Sequence, residues 1–545
     1  MHRKANKGDK WMSATNESGS GSLQRAIGWK DAFWMASGVP ALVLFSIGGI
    51  AATIGNPSWV IWMLSVTFGF LQAFVYAEIA GLFPNKSGGA SIYGAAAWVR
   101  YSKIIAPLSV WCNWLAWTPV LAIGGGLAAG YVLTSFFGAE SAINSWEITL
   151  VGLDFLNEGL TLRINAVSIV GSAILLCVFI AQHKGISAAA KLQTIIGLAV
   201  LIPLLIVGIV PLLTGDVLSE NLLPLVPLAY DDAGNVVDGT WNIEGTTLFL
   251  GGLFIAAWSA YAFETAICYT SEFRDPQRDT VRAIIAAGVI CVVVYTLVPL
   301  SFQGVLGVEG MLQPGIVDGS AVAGAMAGMV GGGSIIAKIM VVMLFLALVL
   351  AIMTSMAGSS RTLYQGSVDG WLPKFLSRTN DHGAPVAGMW SDLGFNLILL
   401  LMSDYLFVLA VSNCCYLVFN FLNLHSGWIH RIDNAHANRP WKAPTIMLWI
   451  GGTLAFVNAT LLGAGANVWG EGTLRSAMIA IALILPVFWY RHYITDKGKF
   501  PAKMLDDLSV GGNTDLSQRK AGMLPYITLA AGVVVVIIAN QVFHL

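Results

Sequence analysis

The sequence predicts an all-α integral membrane protein built as two inverted repeats of five helices, with helices 1 and 6 broken, plus peripheral helices. Three observations predict it. Of 545 residues, 56% are hydrophobic and 11% charged, where a soluble domain carries about 25% charged residues. The apolar residues fall into thirteen runs, most near the roughly 20 residues that cross a bilayer as a helix. Two of those runs, five apart in order, are interrupted by polar and helix-weakening residues.

The runs are expected at 32–55, 58–82, 106–136, 163–182, 188–213, 247–272, 280–305, 334–359, 387–402, 404–429, 444–465, 472–490 and 522–542: twelve helices and an extra C-terminal thirteenth. The boundary between the ninth and tenth rests on "MSDY" alone. Residues 1–31 form a polar N-terminal tail with no cleavable signal. Residues 32–213 are the first repeat and 247–429 the second, joined by a loop at 214–246. Peripheral helices occupy 430–490, a solvated linker 491–521 and the last helix 522–545. Residues 137–162, 214–246 and 306–333 are the sizeable loops of the opposite face.

Orientation follows from Lys and Arg, which favour the cytoplasmic side. With the N-terminus inside, all but Arg163, Lys338 and Arg475 of the 29 Lys and Arg lie on that side. A cell-membrane protein with a cytoplasmic N-terminus follows. The net charge of −1 suggests no nucleic-acid partner. Six cysteines sit in apolar segments without ligand spacing, so neither a metal site nor a disulfide framework is indicated. No phosphate loop, H-E-x-x-H motif or paired catalytic acids appear, and neither an enzyme nor a cofactor is expected.

The first run contains "MASGVPALV" and the sixth "AAWSAYAFE". Paired interruptions mark a carrier's substrate site, because a broken helix leaves backbone polar groups that a substrate can satisfy. Pro40 reads either as a kink or as the first residue of a restarted helix; in the second case the N–H groups of Ala41 and Leu42 are free. Glu264 is the deep carboxylate of the sixth run, at an insertion cost of roughly 2.5–3.5 kcal/mol if charged. It is expected to be the only one away from the cytoplasmic ends. Glu78 sits near the inner end of the second run. On the third run Asn113 and Trp117 share a face, and Gly124–Gly130 reads as a packing seam. On the tenth, Asn413, Tyr416, Asn420 and Asn423 form a polar face, for substrate or for bonds between helices.

Four stretches resemble the amino acid–polyamine–organocation transporters: "YAEIAGLFPNKSGGASIYGAAAW" (76–98), "FETAICYTSEFRDPQRDTVRAI" (263–284), "SSRTLYQGSVDGWLPKFLSRTNDHGAPVAG" (359–388) and "RPWKAP" (439–444). The resemblance covers runs 1–12 in order. It implies the leucine-transporter fold and alternating access around a site between helices 1, 3, 6, 8 and 10. It places substrate contacts at Ser37, Gly38, Val39, Ala41 and Leu42 on helix 1, where the usual Gly-Ser-Gly corresponds to Ala41-Leu42-Val43 without a gap or to Ser37-Gly38 with a local shift. On helix 6 it places them at Ala257, Trp258, Ser259, Ala260 and Tyr261, with Trp258 as an aromatic gate. Trp117, Ser355 and Asn413 complete the set, with Glu264 and Glu78 for coupling and gating.

An asparagine used for arginine recognition is replaced by Leu121. Helix 8 hydroxyls used for sodium are replaced by Leu350 and Ala351, with Thr354 and Ser355 one turn on, and a helix 5 lysine by Val200. The expectation is a sodium-independent, proton-linked permease or exchanger of amino acids or related amines, in lipid, as monomer or homodimer. Glu264 either carries the proton or stays neutral and pins the hinge. The alternative is an uncoupled exchanger, or a channel-like or sensor relative of the same fold.

Overall fold

The computed structural model describes residues 23–138, 141–231, 233–319, 321–331, 333–508 and 519–544. Residues 1–22 of the tail and 509–518 of the linker lie outside them.

Twelve helices among the described residues are long and apolar enough to cross a membrane. Spans 1–8 are Trp29–Ile54, Ser58–Gly81, Ile105–Phe137, Ala166–His183, Ile186–Thr214, Ile243–Glu272, Pro276–Met311 and Ser334–Val368. Spans 10–13 are Tyr405–Asp433, Thr445–Trp469, Thr473–Thr495 and Leu524–Val542. The ninth expected span is the shorter helix Val386–Leu399, about 21 Å long at 1.5 Å per residue, against roughly 30 Å of hydrocarbon.

That helix stops because the chain after it joins other structure. Leu401 O accepts from Arg163 N at 2.7 Å, and Ser403 N donates to Thr161 O at 2.9 Å. Asp404 then caps span 10, its Oδ1 accepting from Phe407 N at 3.0 Å. The weakest sequence boundary is thus a built one.

Two of the expected loops hold antiparallel hairpins: β1 (Glu147–Gly152) with β2 (Thr161–Asn165), and β3 (Leu228–Tyr230) with β4 (Val236–Asp238). The third carries short helices at Pro314–Val317 and Val322–Met329. Span 7 exceeds its expected length, and Gly307 breaks its helical backbone at φ 65°.

The linker after span 12 departs from the solvated segment expected. Its helix Ala502–Leu508 docks on the N-terminal face. There Met504 is buried, Phe500 packs edge-on against Trp371 at 5.3 Å, and Asp507 lies 3.3 Å from the buried Lys86. Its sequence is charged, but every third or fourth residue is apolar, enough to cover one face.

Spans 1 and 6 are the broken ones. Span 1 is a helix to Met35, a turn at 36–39, a 3-10 segment Pro40–Phe45 and a helix from Ile47. Span 6 is helical through Ala260, then 3-10 from Ala262 to Ile267. Neighbouring helices approach these breaks through glycines. A Cβ on Gly69 of span 2 would lie 2.9 Å from Ala260 O, and one on Gly38 would lie 2.6 Å from Leu350 O of span 8. In span 3, a Cβ on Gly124 or Gly125 would meet Ile352 or Leu175 at 2.9 and 3.3 Å, the packing seam read from the sequence.

Candidate functional site

The two breaks face each other and are tied by one side chain. Tyr295 of span 7 donates to Val39 O at 2.6 Å and lies 3.2 Å from Ser259 O, one carbonyl from each broken helix. Ser259 itself donates to Leu42 O at 3.3 Å. Pro40 does open the second segment of span 1, as the restart reading expects. The freed donors are fewer than expected, because Leu42 N donates to Val39 O at 2.9 Å. A 3-10 segment bonds each N–H three residues back, which uses groups that an abrupt α-helical restart would leave open. Span 6 likewise stays helical through Ala260, inside the expected interruption at 256–264, with Tyr261 N bonded to Ala257 O at 3.1 Å.

Between the breaks lies a pocket lined by Leu42, Ala116, Trp117, Trp258 and Tyr416, too tight for a water-sized sphere. Trp258 closes one wall: its Nε1 donates to Ser412 Oγ at 2.9 Å and reaches Ala116 O at 3.1 Å. Trp117 donates through Nε1 to Glu264 Oε1 at 3.0 Å, and the Tyr416 hydroxyl is 3.5 Å from the same oxygen. Glu264 Oε2 is buried with no hydrogen-bond partner among the described residues. The site is therefore closed by aromatic rings, two of which contact one carboxyl directly beneath.

Not every expected residue meets at this pocket. Leu42, Trp117 and Trp258 line it. Ser355 supports it, donating to Trp117 O at 2.5 Å, and Asn413 donates to Phe254 O at 2.5 Å. Ser37 turns back to Trp34 O at 2.5 Å. Gly38 packs on span 8, while Val39 and Ala41 in the span 1 break, Ala257, Ser259 and Ala260 in the last helical turn of span 6, and Tyr261 just after it are buried without lining the pocket. Glu78 is elsewhere. It binds Arg431 and Arg439 and accepts from Ala443 N at 2.9 Å, tying span 2 to the "RPWKAP" stretch. The polar face of span 10 bonds to other helices at Asn420, from Tyr76 at 2.5 Å, and at Asn423, to Ser109 at 2.9 Å.

Sequence reasoning missed Tyr295 and Ser412. It also missed Asp392, whose carboxyl is fully buried in the helix Val386–Leu399. This corrects the expectation that Glu264 is the only deep carboxylate. The available signal was Asp392 with Asn396 one turn on, a polar face in an apolar helix.

Below the breaks the N-terminal face is shut by buried charges. Arg361 of span 8 grips Glu272 with two nitrogens, and Lys86 binds Asp369 at 2.7 Å. Gly88 N bonds Cys268 O at 2.9 Å, and Ser87 and Ser271 are joined at 2.6 Å. The turn holding Lys86 needs Gly88 and Gly89, at φ 107° and 86°, a region side chains disfavour.

Two discontinuous helices around a ring-closed pocket, inside a bundle of membrane-length helices, define a carrier rather than a pore. The comparisons agree. Residues 27–489 match the family described as amino acid permease, and the chain belongs to that family, a multi-pass membrane transporter rather than an enzyme. A branched-chain amino acid permease of Lactococcus lactis subsp. cremoris is 24% identical over 372 residues, 66% of this chain and 72% of that one. A polyamine transporter of Oryza sativa subsp. japonica is 22% identical over 465 residues, 83% and 74% of the two chains. A putative arginine/ornithine antiporter of Bacillus subtilis is 25% identical over 364 residues, 64% and 70%.

Proposed function

We propose that this protein carries neutral amino acids or closely related small amines across the cell membrane by alternating access, with its N-terminus cytoplasmic and its transport linked to protons rather than sodium. The observation that carries the reading is the pocket itself. Its lining offers rings and aliphatic surface, the Tyr416 hydroxyl, and one carboxyl below. That lining suits an apolar side chain better than a second positive charge, in keeping with the name of the branched-chain relative. The charge of an amino group is served by the Trp258 face, at roughly 2 kcal/mol when desolvated.

Proton linkage is supported by Glu264. Removal from water favours the neutral form of a carboxyl, and the two side chains bonded to Glu264 also line the pocket. A substrate that moves Trp117 or Tyr416 changes the stability of its charge. Sodium is disfavoured because Leu350 and Ala351 stand where the resemblance places the helix 8 hydroxyls used for sodium. In the alternate state, the Arg361–Glu272 and Lys86–Asp369 pairs separate to open the cytoplasmic side.

A thermal-shift screen of purified protein tests substrate class. Leucine, isoleucine, valine or methionine is expected to raise the unfolding midpoint, since a ligand at 100 times its Kd stabilises by about 2.7 kcal/mol. Arginine and polyamines are expected to leave it unmoved. Stabilisation by arginine or polyamines alone would overturn the substrate assignment.

A further inference from the structure

We infer that Asp392 is a second proton site, holding a proton in this conformation and exchanging it through a pocket on the face opposite the N-terminus. The inference rests on counting hydrogens. Asp392 Oδ1 accepts from Trp114 Nε1 at 2.6 Å and Thr118 Oγ1 at 3.1 Å. The Thr118 oxygen also accepts from Asn396 Nδ2 at 2.7 Å, which leaves its hydrogen to meet Asp392 Oδ1. Among the described residues, Asp392 Oδ2 meets only Ser359 Oγ, at 2.6 Å, and Ser359 Oγ is also 2.8 Å from Ser355 O.

A serine hydroxyl has one hydrogen, and here it faces two acceptors. If Asp392 were ionised, the hydrogen would go to Oδ2 and the close contact with Ser355 O would hold none. A proton on Oδ2 resolves this: Oδ2–H donates to Ser359 Oγ, and Ser359 Oγ–H donates to Ser355 O. Every short contact then carries one hydrogen.

Among the described residues, no positively charged group is paired with the Asp392 carboxyl to offset an ionised form. Arg361 is held by Glu272 and Lys374 by Asp496. His183 sits against Asn380, and Tyr364 lies toward Glu272 and Asp369. Lys338 of span 8, Cys177 of span 4, and Cys112 and Tyr131 of span 3 make no hydrogen bond or ion pair with the carboxyl. An unpaired carboxylate removed from water is strongly disfavoured.

Two routes lead away from the group. On one side Asn396 Oδ1 accepts from Ala122 N at 3.1 Å. Ala122 lines a pocket of about 180 Å³, with Arg163, Asn165, Ser403 and Tyr405, large enough for water. On the other, Ser359 is one helical turn from Ser355, which bonds Trp117 O at the substrate pocket. Asp392 thus lies between the far-face pocket and the ring that grips Glu264; the amides on the way relay no proton, so exchange proceeds by water entering from that pocket.

Infrared spectroscopy of the full chain in lipid vesicles at neutral pH, without substrate, tests this independently of the transport reading. A carboxylic-acid C=O band is expected that Asp392→Asn removes, that Ser359→Ala shifts in frequency, and that moves on transfer to D2O. A Ser359→Ala spectrum identical to that of the parent chain overturns the protonated site whether or not Asp392→Asn folds. A band that D2O never moves overturns the access through the pocket.

Discussion

Glu264 shows how much a single residue carries and how little of its setting the sequence reveals. Its depth was legible, since one carboxylate stands out in an apolar run. Its partners were not, because Trp117 and Tyr416 are 147 and 152 residues away. Asp392 escaped notice for the opposite reason: a short run near an uncertain boundary hides its own depth. If Glu264 carries the proton, Glu264→Gln abolishes the pH dependence of uptake into proteoliposomes. An unaltered pH profile would leave it the role of hinge pin. Arg361 offers a second test at this scale. Arg361→Ala leaves Glu272 buried and uncompensated, which costs about 3–5 kcal/mol, read as a lowered unfolding midpoint. Adding Glu272→Gln recovers part of that loss, because the stranded charge is gone.

At the scale of elements, hydropathy and charge made the spans legible, and the two interruptions made the breaks legible. Their detailed form was not, since whether a chain restarts as α or 3-10 helix depends on packing. Span 1 makes the point: Gly38 sits so close to Leu350 O that the turn and span 8 are fitted together. Gly38→Ala is expected to displace the turn and slow transport, while protein of normal size and solubility is still recovered. The docked linker helix makes another prediction. Burial raises the Asp507 carboxyl above the ordinary range, against the lowering effect of Lys86, and the nearby Asp369 charge adds to the rise. A raised acid stabilises the docked form at low pH, and that contribution is lost as pH rises through the raised value. Thiol labelling of Met504→Cys is therefore expected to speed up from acid toward neutral pH; a rate that falls after correction for thiolate content would contradict this.

For the whole molecule, the resemblance in four stretches supplied the family, and the match across residues 27–489 bears it out. The structure adds how the parts act together. The segment before span 1 pairs with the end of span 6, Ile27 beside Phe273 and Ala26 N bonded to Glu272 O at 3.0 Å. Glu272 in turn holds Arg361 of span 8. Both broken helices and span 8 are thereby clamped at one face by a single acidic residue, so opening that face moves them together. Closure of the pocket above and the charge clamp below belong to one occluded arrangement. On the proposed reading, a molecule built this way passes substrate by changing shape.

Counterflow tests that claim most directly. Vesicles holding the purified protein are loaded with unlabelled leucine and diluted into a trace of labelled leucine. The account predicts transient accumulation of label above equilibrium, saturable in leucine and abolished when the Arg361–Glu272 clamp is covalently fixed. Flux that rises linearly with concentration, with no accumulation in preloaded vesicles, would contradict it.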